Sequence, residues 1–304
     1  MLKLKPNEII PLEVDLLFKK VFGDNDCIER LEGFISAYFN VPYEEVKGNV
    51  QVINGERRIR NKDSKRQYYD VVASVMLSSG NIRLNIEVNL KRGTTLERNI
   101  LYATNMLSGE LKNKEDYSNI EPVIQINFDG FEINEKNDRL VKRCYIKDET
   151  NTIISNILEI DHINIDKCKC AWYNNDVESF EERDRNLIRI GALLTMTNMR
   201  DFEACLEEIS MNKDIKEDIK DTVCGFSEEE EMLLYYDKEK NDEAIRRGDI
   251  SLARKEGIKQ GIIEGVNRRN IEIARNMLNK NLDIDMISEV TGLTKEEIEK
   301  LDDR

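Results

Sequence analysis

Two carboxylates, a carboxamide and an amine lie close together in the stretch YYDVVASVMLSSGNIRLNIEVNLKR, residues 68–92. Asp70 follows Tyr68 and Tyr69 and opens a run of Val, Ala and Met. In the second run Ile82, Leu84, Ile86, Val88 and Leu90 alternate with Arg83, Asn85, Glu87, Asn89 and Lys91. A period of two predicts a strand, and Ser78, Ser79, Gly80 and Asn81 supply turn chemistry between the runs. Alternation places Glu87, Asn89 and Lys91 on one face, and hairpin pairing could bring Asp70 near them. Hard cations prefer carboxylate oxygens, and a neighbouring amide and amine suit a phosphate, so this group could hold both. The same pattern also describes a hairpin with one solvated polar face.

Composition narrows the chemistry further. His162 is the only histidine in 304 residues, which excludes any mechanism needing two and weakens histidine triads. The six cysteines are scattered; Cys168 and Cys170 stand two apart, but no second pair completes a zinc site. Any chemistry is therefore expected to run on carboxylates, lysines and a metal. Net charge is −14, and it is uneven. Residues 1–100 carry 16 Lys and Arg against 14 Asp and Glu, whereas residues 201–304 carry 17 against 28. An acidic protein is a poor general binder of nucleic acid. DNA contact is thus expected from the cluster Arg57, Arg58, Arg60, Lys62, Lys65 and Arg66, which also reads as a solvated loop.

The elements that must position these groups follow from apolar spacing. Residues 12–22 and 26–40 read as two amphipathic helices, the second ended by Asn40 to Pro42. Val50 to Ile53 reads as a strand ahead of the central hairpin, and Thr94 to Leu111 as a helix with Glu97 in its first turn. Pro122 to Phe128 is a compact apolar run that predicts a buried strand, with further strands at Val141 to Ile146 and His162 to Ile165. The order helix, three strands, helix, strand implies a mixed α/β core with a crossover. From Glu181 onward helical stripes dominate. Gly257, Gly261 and Gly265, four apart, read either as a close helix–helix face or as a flexible linker. Thr294 and Glu297 predict a capping box on the last helix. That helix also carries Glu296 and Glu299, which would repel phosphates, so the tail reads as an assembly element despite its helix-turn-helix shape. No apolar run reaches the length of a membrane span, and MLKLKPNEII lacks a signal-peptide centre, so a cytoplasmic protein without membrane contact is expected.

With these segments laid out, the chain resembles the PD-(D/E)XK nuclease family transposases, the recombination-promoting nuclease (Rpn) group. The likeness rests on VDLLFKKVFG at 14–23, YDVVASVMLSSGNIRLNIEVN at 69–89, ERNILYATNMLSGEL at 97–111, EPVIQINF at 121–128 and the tail at 273–301. The resemblance implies a restriction-endonuclease-like core, placed over 1–180; the helical stripes beyond it read as an extension at 181–240 and a tail at 241–304 expected to form a homodimer. It implies a Mg²⁺-dependent (or Mn²⁺-dependent) DNA endonuclease tied to recombination, mobile elements or phage defence, with Asp70 and Glu87 as metal ligands. Asp15 and Lys19 match the D-x-x-F-K pattern of the first helix, and Arg98 matches an arginine opening the later helix. Many such nucleases carry a lysine two residues after the second acid, and this group resembles them with glutamine there; Asn89 departs from both. Lys91 is the candidate replacement cation. The departure leaves a second reading open, a weak or inactive nuclease fold acting through binding.

Overall fold

The computed structural model describes residues 4–53, 56–57, 67–68, 70–91, 95–108, 120–134 and 136–301, of which 56–57, 67–68, 239, 241–252 and 263 are described by backbone path alone. Helices α1 (Asp15–Phe22), α2 (Ile28–Phe39) and the short α3 (Tyr43–Val46) lead into strand β1 (Val50–Ile53). Asn40 ends α2 in the left-handed conformation, φ 55°, which a short polar side chain tolerates. A two-stranded ribbon, β2 (Glu56–Arg57) and β3 (Gln67–Tyr68), precedes the central hairpin β4 (Val71–Leu77) and β5 (Gly80–Asn89). Then come α4 (Thr95–Ser108), β6 (Val123–Asp129), β7 (Val141–Lys147) and β8 (Ile153–Asn164).

Six of these strands form one sheet in the order β1-β4-β5-β6-β8-β7. The outer pairs are antiparallel, while β5, β6 and β8 run parallel at the centre. Parallel neighbours require a crossover, and α4 supplies it between β5 and β6. The sequence predicts a strand at His162–Ile165; the structure extends it back to Ile153 and ends it at Asn164. The opening residues, IISNI at 153–157, pair only with the edge strand β7 and show no clean apolar alternation, so periodicity does not reveal them.

Pleat alternation divides the sheet's side chains between two faces. Leu84 and Ile86 of β5 and Ile124, Ile126 and Phe128 of β6 point to the larger core. There they meet α1 and α2, with Phe18, Phe22, Phe34 and Phe128 in a chain of ring contacts at centroid spacings of 5.2, 5.5 and 6.1 Å. Helices α5 (Ile165–Tyr173), α6 (Glu182–Leu194), α7 (Met199–Glu208) and α8 (Lys213–Glu228) complete the same core. On the opposite face α4 lays Tyr102, Ala103 and Met106 against Val72, Val123 and Ile160. Toward the start of α4 this face turns polar, through Asn85, Glu87 and Asn89 of β5.

The chain divides into two compact units, Met1–Tyr236 and Asp237–Arg304. The second has its own small core, in which Ala274, Ile287 and Ile298 are buried. It contains the end of α9 (Glu230–Leu278), then α10 (Ile284–Thr291) and α11 (Lys295–Glu299). Gly292 takes φ 72° after α10, and Thr294 and Glu297 form the predicted capping box on α11. Gly257, Gly261 and Gly265 lie inside the continuous α9, with open space where a Cβ would project. They are therefore part of a helix rather than a linker, and no described residue of this chain packs against them. No helix among the described residues is long and apolar enough to cross a membrane.

Candidate active site

The antiparallel register of β4 and β5 pairs Val71 with Ile86, which sets Asp70, the residue before the strand, beside Glu87. Each carboxylate is tied to the other strand's backbone. Asp70 Oδ2 accepts from the Val88 amide at 3.0 Å, and Glu87 Oε1 accepts from the Asp70 amide at 3.3 Å. Glu87 is only 3% exposed. Burial first, then the negative charge of Asp70, pushes its carboxyl up to about 8. Asp70 is raised too, by burial, even though the Val88 amide and Lys19 favour its charged form. Two adjacent desolvated carboxylates form a site that favours either a proton or a positive ion.

Lys19 of α1 lies 3.3 Å from Asp70 Oδ1 and 2.6 Å from Asp15 Oδ1. The structure thus brings Asp15, Lys19 and Asp70 together. Burial opposes the charge on Lys19, but the two carboxylates outweigh it and raise its pKa. Arg98, in the first turn of α4, donates from Nη2 to Asn89 Oδ1 and packs over the Tyr102 ring at 5.8 Å. Its charge also favours the ionised form of Glu87.

The polar face of the hairpin is buried, not solvated. Asn85, Glu87 and Asn89 on β5 face Gln125, Asn127 and Asp129 on β6 in register, and all six are 3% exposed or less. Asn85 Nδ2 donates to Glu87 Oε1 at 3.2 Å and to Gln125 Oε1 at 2.7 Å. Gln125 Nε2 donates to Asn127 Oδ1 at 2.9 Å, and Asn127 Nδ2 to the Asp161 carbonyl at 2.9 Å. Asn89 Nδ2 donates to Asp129 Oδ1 at 3.2 Å and to Asn127 Oδ1 at 3.4 Å. Asp129 Oδ2 lies 2.8 Å from His162 Nδ1, and since an ionised carboxylate only accepts, the imidazole donates. The Asp161 carbonyl therefore orients the Asn127 amide, and Asp129 orients that of Asn89. Asn99, fully buried on α4, has neither amide atom paired among the described residues.

Lys91 does not join this group. Strand β5 ends at Asn89, so alternation no longer governs Lys91, which is exposed. Arg58, Arg60, Lys62, Lys65 and Arg66 lie outside the described residues, and Arg57 is described by its backbone alone, in β2. Conversely, sequence reasoning missed Gln125, Asn127, Asp129 and His162 as parts of one network. The signal was present: polar residues at every second position of VIQINFD, a strand with neighbours on both sides. A second cluster lies on the other face. There Asp161 is pushed up to about 7 by burial and by Glu159, and is held by the Tyr38 hydroxyl at 2.9 Å and Arg143 at 3.5 Å. Its Arg143–Asp184 pair, 2.7 Å, ties β7 to α6, which is a structural role.

Among the described residues no group of three or more His, Cys, Asp or Glu side chains is arranged to hold a metal. The donor set nonetheless fits a hard divalent ion. Mg²⁺ takes one or two carboxylates and keeps several waters rather than requiring a full protein cage. Burial raises the pKa of both acids, so a cation held between them would favour their ionised forms.

No curated protein matches the chain, and neither does any solved structure. Two family models do match. One, the Rpn/YhgA-like nuclease family C-terminal HTH domain, covers residues 268–303, and so takes in α10 and α11. The other spans residues 12–245, from the segment before α1 through the whole sheet into α9, and includes both carboxylates and the polar ladder. A match over that much of the chain makes this protein a member of the PD-(D/E)XK nuclease family transposases.

Proposed function

We propose that this protein is a metal-dependent DNA endonuclease whose reaction is carried by Asp70 and Glu87. The observation that carries the reading is the placement of two carboxylates, Glu87 buried and Asp70 half-buried, on adjacent strands, each bonded to the other strand's backbone. Asp70 and Glu87 would hold Mg²⁺ or Mn²⁺. Bound there, the ion supplies Lewis-acid charge neutralisation and a water of lowered pKa.

The chain's own groups do the rest. Backbone bonds from Val88 and Asp70 fix both carboxylates, so no reorganisation is needed when charge develops. Lys19 sets the orientation of Asp70, and Asp15 sets that of Lys19. Arg98 lies in the first turn of α4, where the helix N-terminus also favours anions, and can take a DNA phosphate while restraining Glu87. Lys91 and the basic segment Arg57 to Arg66 would contact DNA phosphates. The C-terminal unit would join two copies, and the family suggests a role in recombination or defence.

A second reading, a weakened nuclease that acts by binding, is favoured by one observation. Both ends of the Asn89 carboxamide are engaged, Oδ1 by Arg98 and Nδ2 by Asp129 and Asn127, so neither is free to orient a nucleophile. Nicking of supercoiled plasmid by the purified chain decides between them. Cleavage with Mg²⁺ or Mn²⁺ that stops in EDTA is the expected result. A well-folded protein that binds DNA but never cleaves it would establish the second reading.

A further inference from the structure

Asp129 is 1% exposed and lies on β6, opposite Asn89 of β5 and two strands from Asp70. Burying an ionised carboxylate is costly unless its oxygens are satisfied. Here each oxygen has one partner: Asn89 Nδ2 at 3.2 Å on Oδ1 and His162 Nδ1 at 2.8 Å on Oδ2. A carboxylate has no proton to donate, so it accepts only the amino end of Asn89. The carboxamide oxygen must then point away, and that oxygen receives Arg98 Nη2. Asn127 reinforces the choice, because its Oδ1 is a second acceptor for the same amino group at 3.4 Å. A flipped Asn89 would turn its amino group toward the guanidinium and leave both donors unpaired.

We propose that Asp129 is a positioning residue for the nuclease reaction, fixing the Asn89 carboxamide and through it the Arg98 guanidinium, with His162 holding Asp129 in place. The lone histidine thus serves as a brace rather than as an acid or base. The arrangement also accounts for the departure at position 89. Asparagine stays bonded to β6 through its amino group while its oxygen, at the end of β5, accepts from Arg98. The effect on cleavage rests on the nuclease reading, whereas the positioning of Arg98 does not.

Asp129→Asn keeps the shape and removes the acceptor-only constraint. The first readout needs neither metal nor DNA. Arg98 side-chain NMR signals in ¹⁵N-arginine-labelled, metal-free protein, identified by their loss in Arg98→Lys, should show hindered guanidinium rotation in the wild type. In Asp129→Asn that rotation should become free. Asn89→Ala, which leaves Asp129 untouched, should free it equally and serves if Asp129→Asn misfolds. The second readout is a cleavage cycle. Asp129→Asn should lower cleavage by about tenfold, as lost outer supports commonly do, yet add nothing in an Arg98→Ala background. An unchanged Arg98 signal in both variants, or losses that simply multiply, would overturn the proposal. A wild type that never cleaves but shows the expected Arg98 signals would remove the nuclease reading and leave the positioning intact.

Discussion

Glu87→Gln and Asp70→Asn should each lower metal-dependent cleavage by at least about a hundredfold, the scale of losing a preorganised electrostatic contact. Both substitutions keep volume and hydrogen-bonding shape. In Glu87→Gln the new amide oxygen can still accept from Asn85 and from the Asp70 amide. In Asp70→Asn the new amide oxygen can still accept from Val88. What disappears is the negative charge that attracts the cation. The double variant should be no worse than the poorer single, because either loss empties the same site. Initial nicking rates across a Mn²⁺ titration measure this. Loss that is rescued by raising the metal concentration would place the defect in binding, in keeping with a ligand role. A variant within about twofold of wild type would remove that carboxylate from the reaction.

Glu87→Gln should also make the metal-free protein more stable than wild type as the pH rises, the opposite of a usual active-site loss. In the folded chain Glu87 titrates near 8, against 4.5 for the ordinary group. Between those values the native state binds more protons than the unfolded chain, so stability falls as pH rises through the window. Each pH unit spent there corresponds to about 1.4 kcal/mol. Glutamine cannot ionise and escapes this penalty. Urea melts in EDTA should therefore show wild type and Glu87→Gln alike near pH 4.5 and diverging steadily to about pH 8, where the variant is favoured by a few kcal/mol. Divalent metal should reverse the order by stabilising only the wild type, with the larger gain at the alkaline end, because the ion must displace a proton. Parallel curves across the window would mean that Glu87 is not desolvated as the structure shows.

How much of this was legible depends on what each residue's position rests on. The hairpin was readable because strand alternation and turn chemistry are local, and they placed Asp70 and Glu87 on facing strands. The family motifs added roles for Asp15, Lys19 and Arg98, which the structure gathers around Asn89 and the pair. The fate of the polar face was not readable. Whether Asn85, Glu87 and Asn89 meet water or another strand depends on the parallel docking of β6 and the cover of α4, both set by long-range contacts. Gln125, Asn127 and Asp129 stood within an apolar run, and only the β5 register turns them into partners. His162 gave no signal by itself, since its link to Asp129 spans two parallel strands. Lys91 illustrates the converse: a period of two was extended past the end of the strand that sustains it.

Binding of Mn²⁺ to the full-length protein by titration calorimetry at about pH 8, where Glu87 titrates, tests the central claim most directly when run beside Glu87→Gln and Asp70→Asn. The account predicts binding by the wild type, with proton release, and its loss in both variants whether or not DNA is present. Binding of equal strength in all three proteins would contradict it, since the ion would then be held elsewhere and the paired carboxylates would not be the metal site.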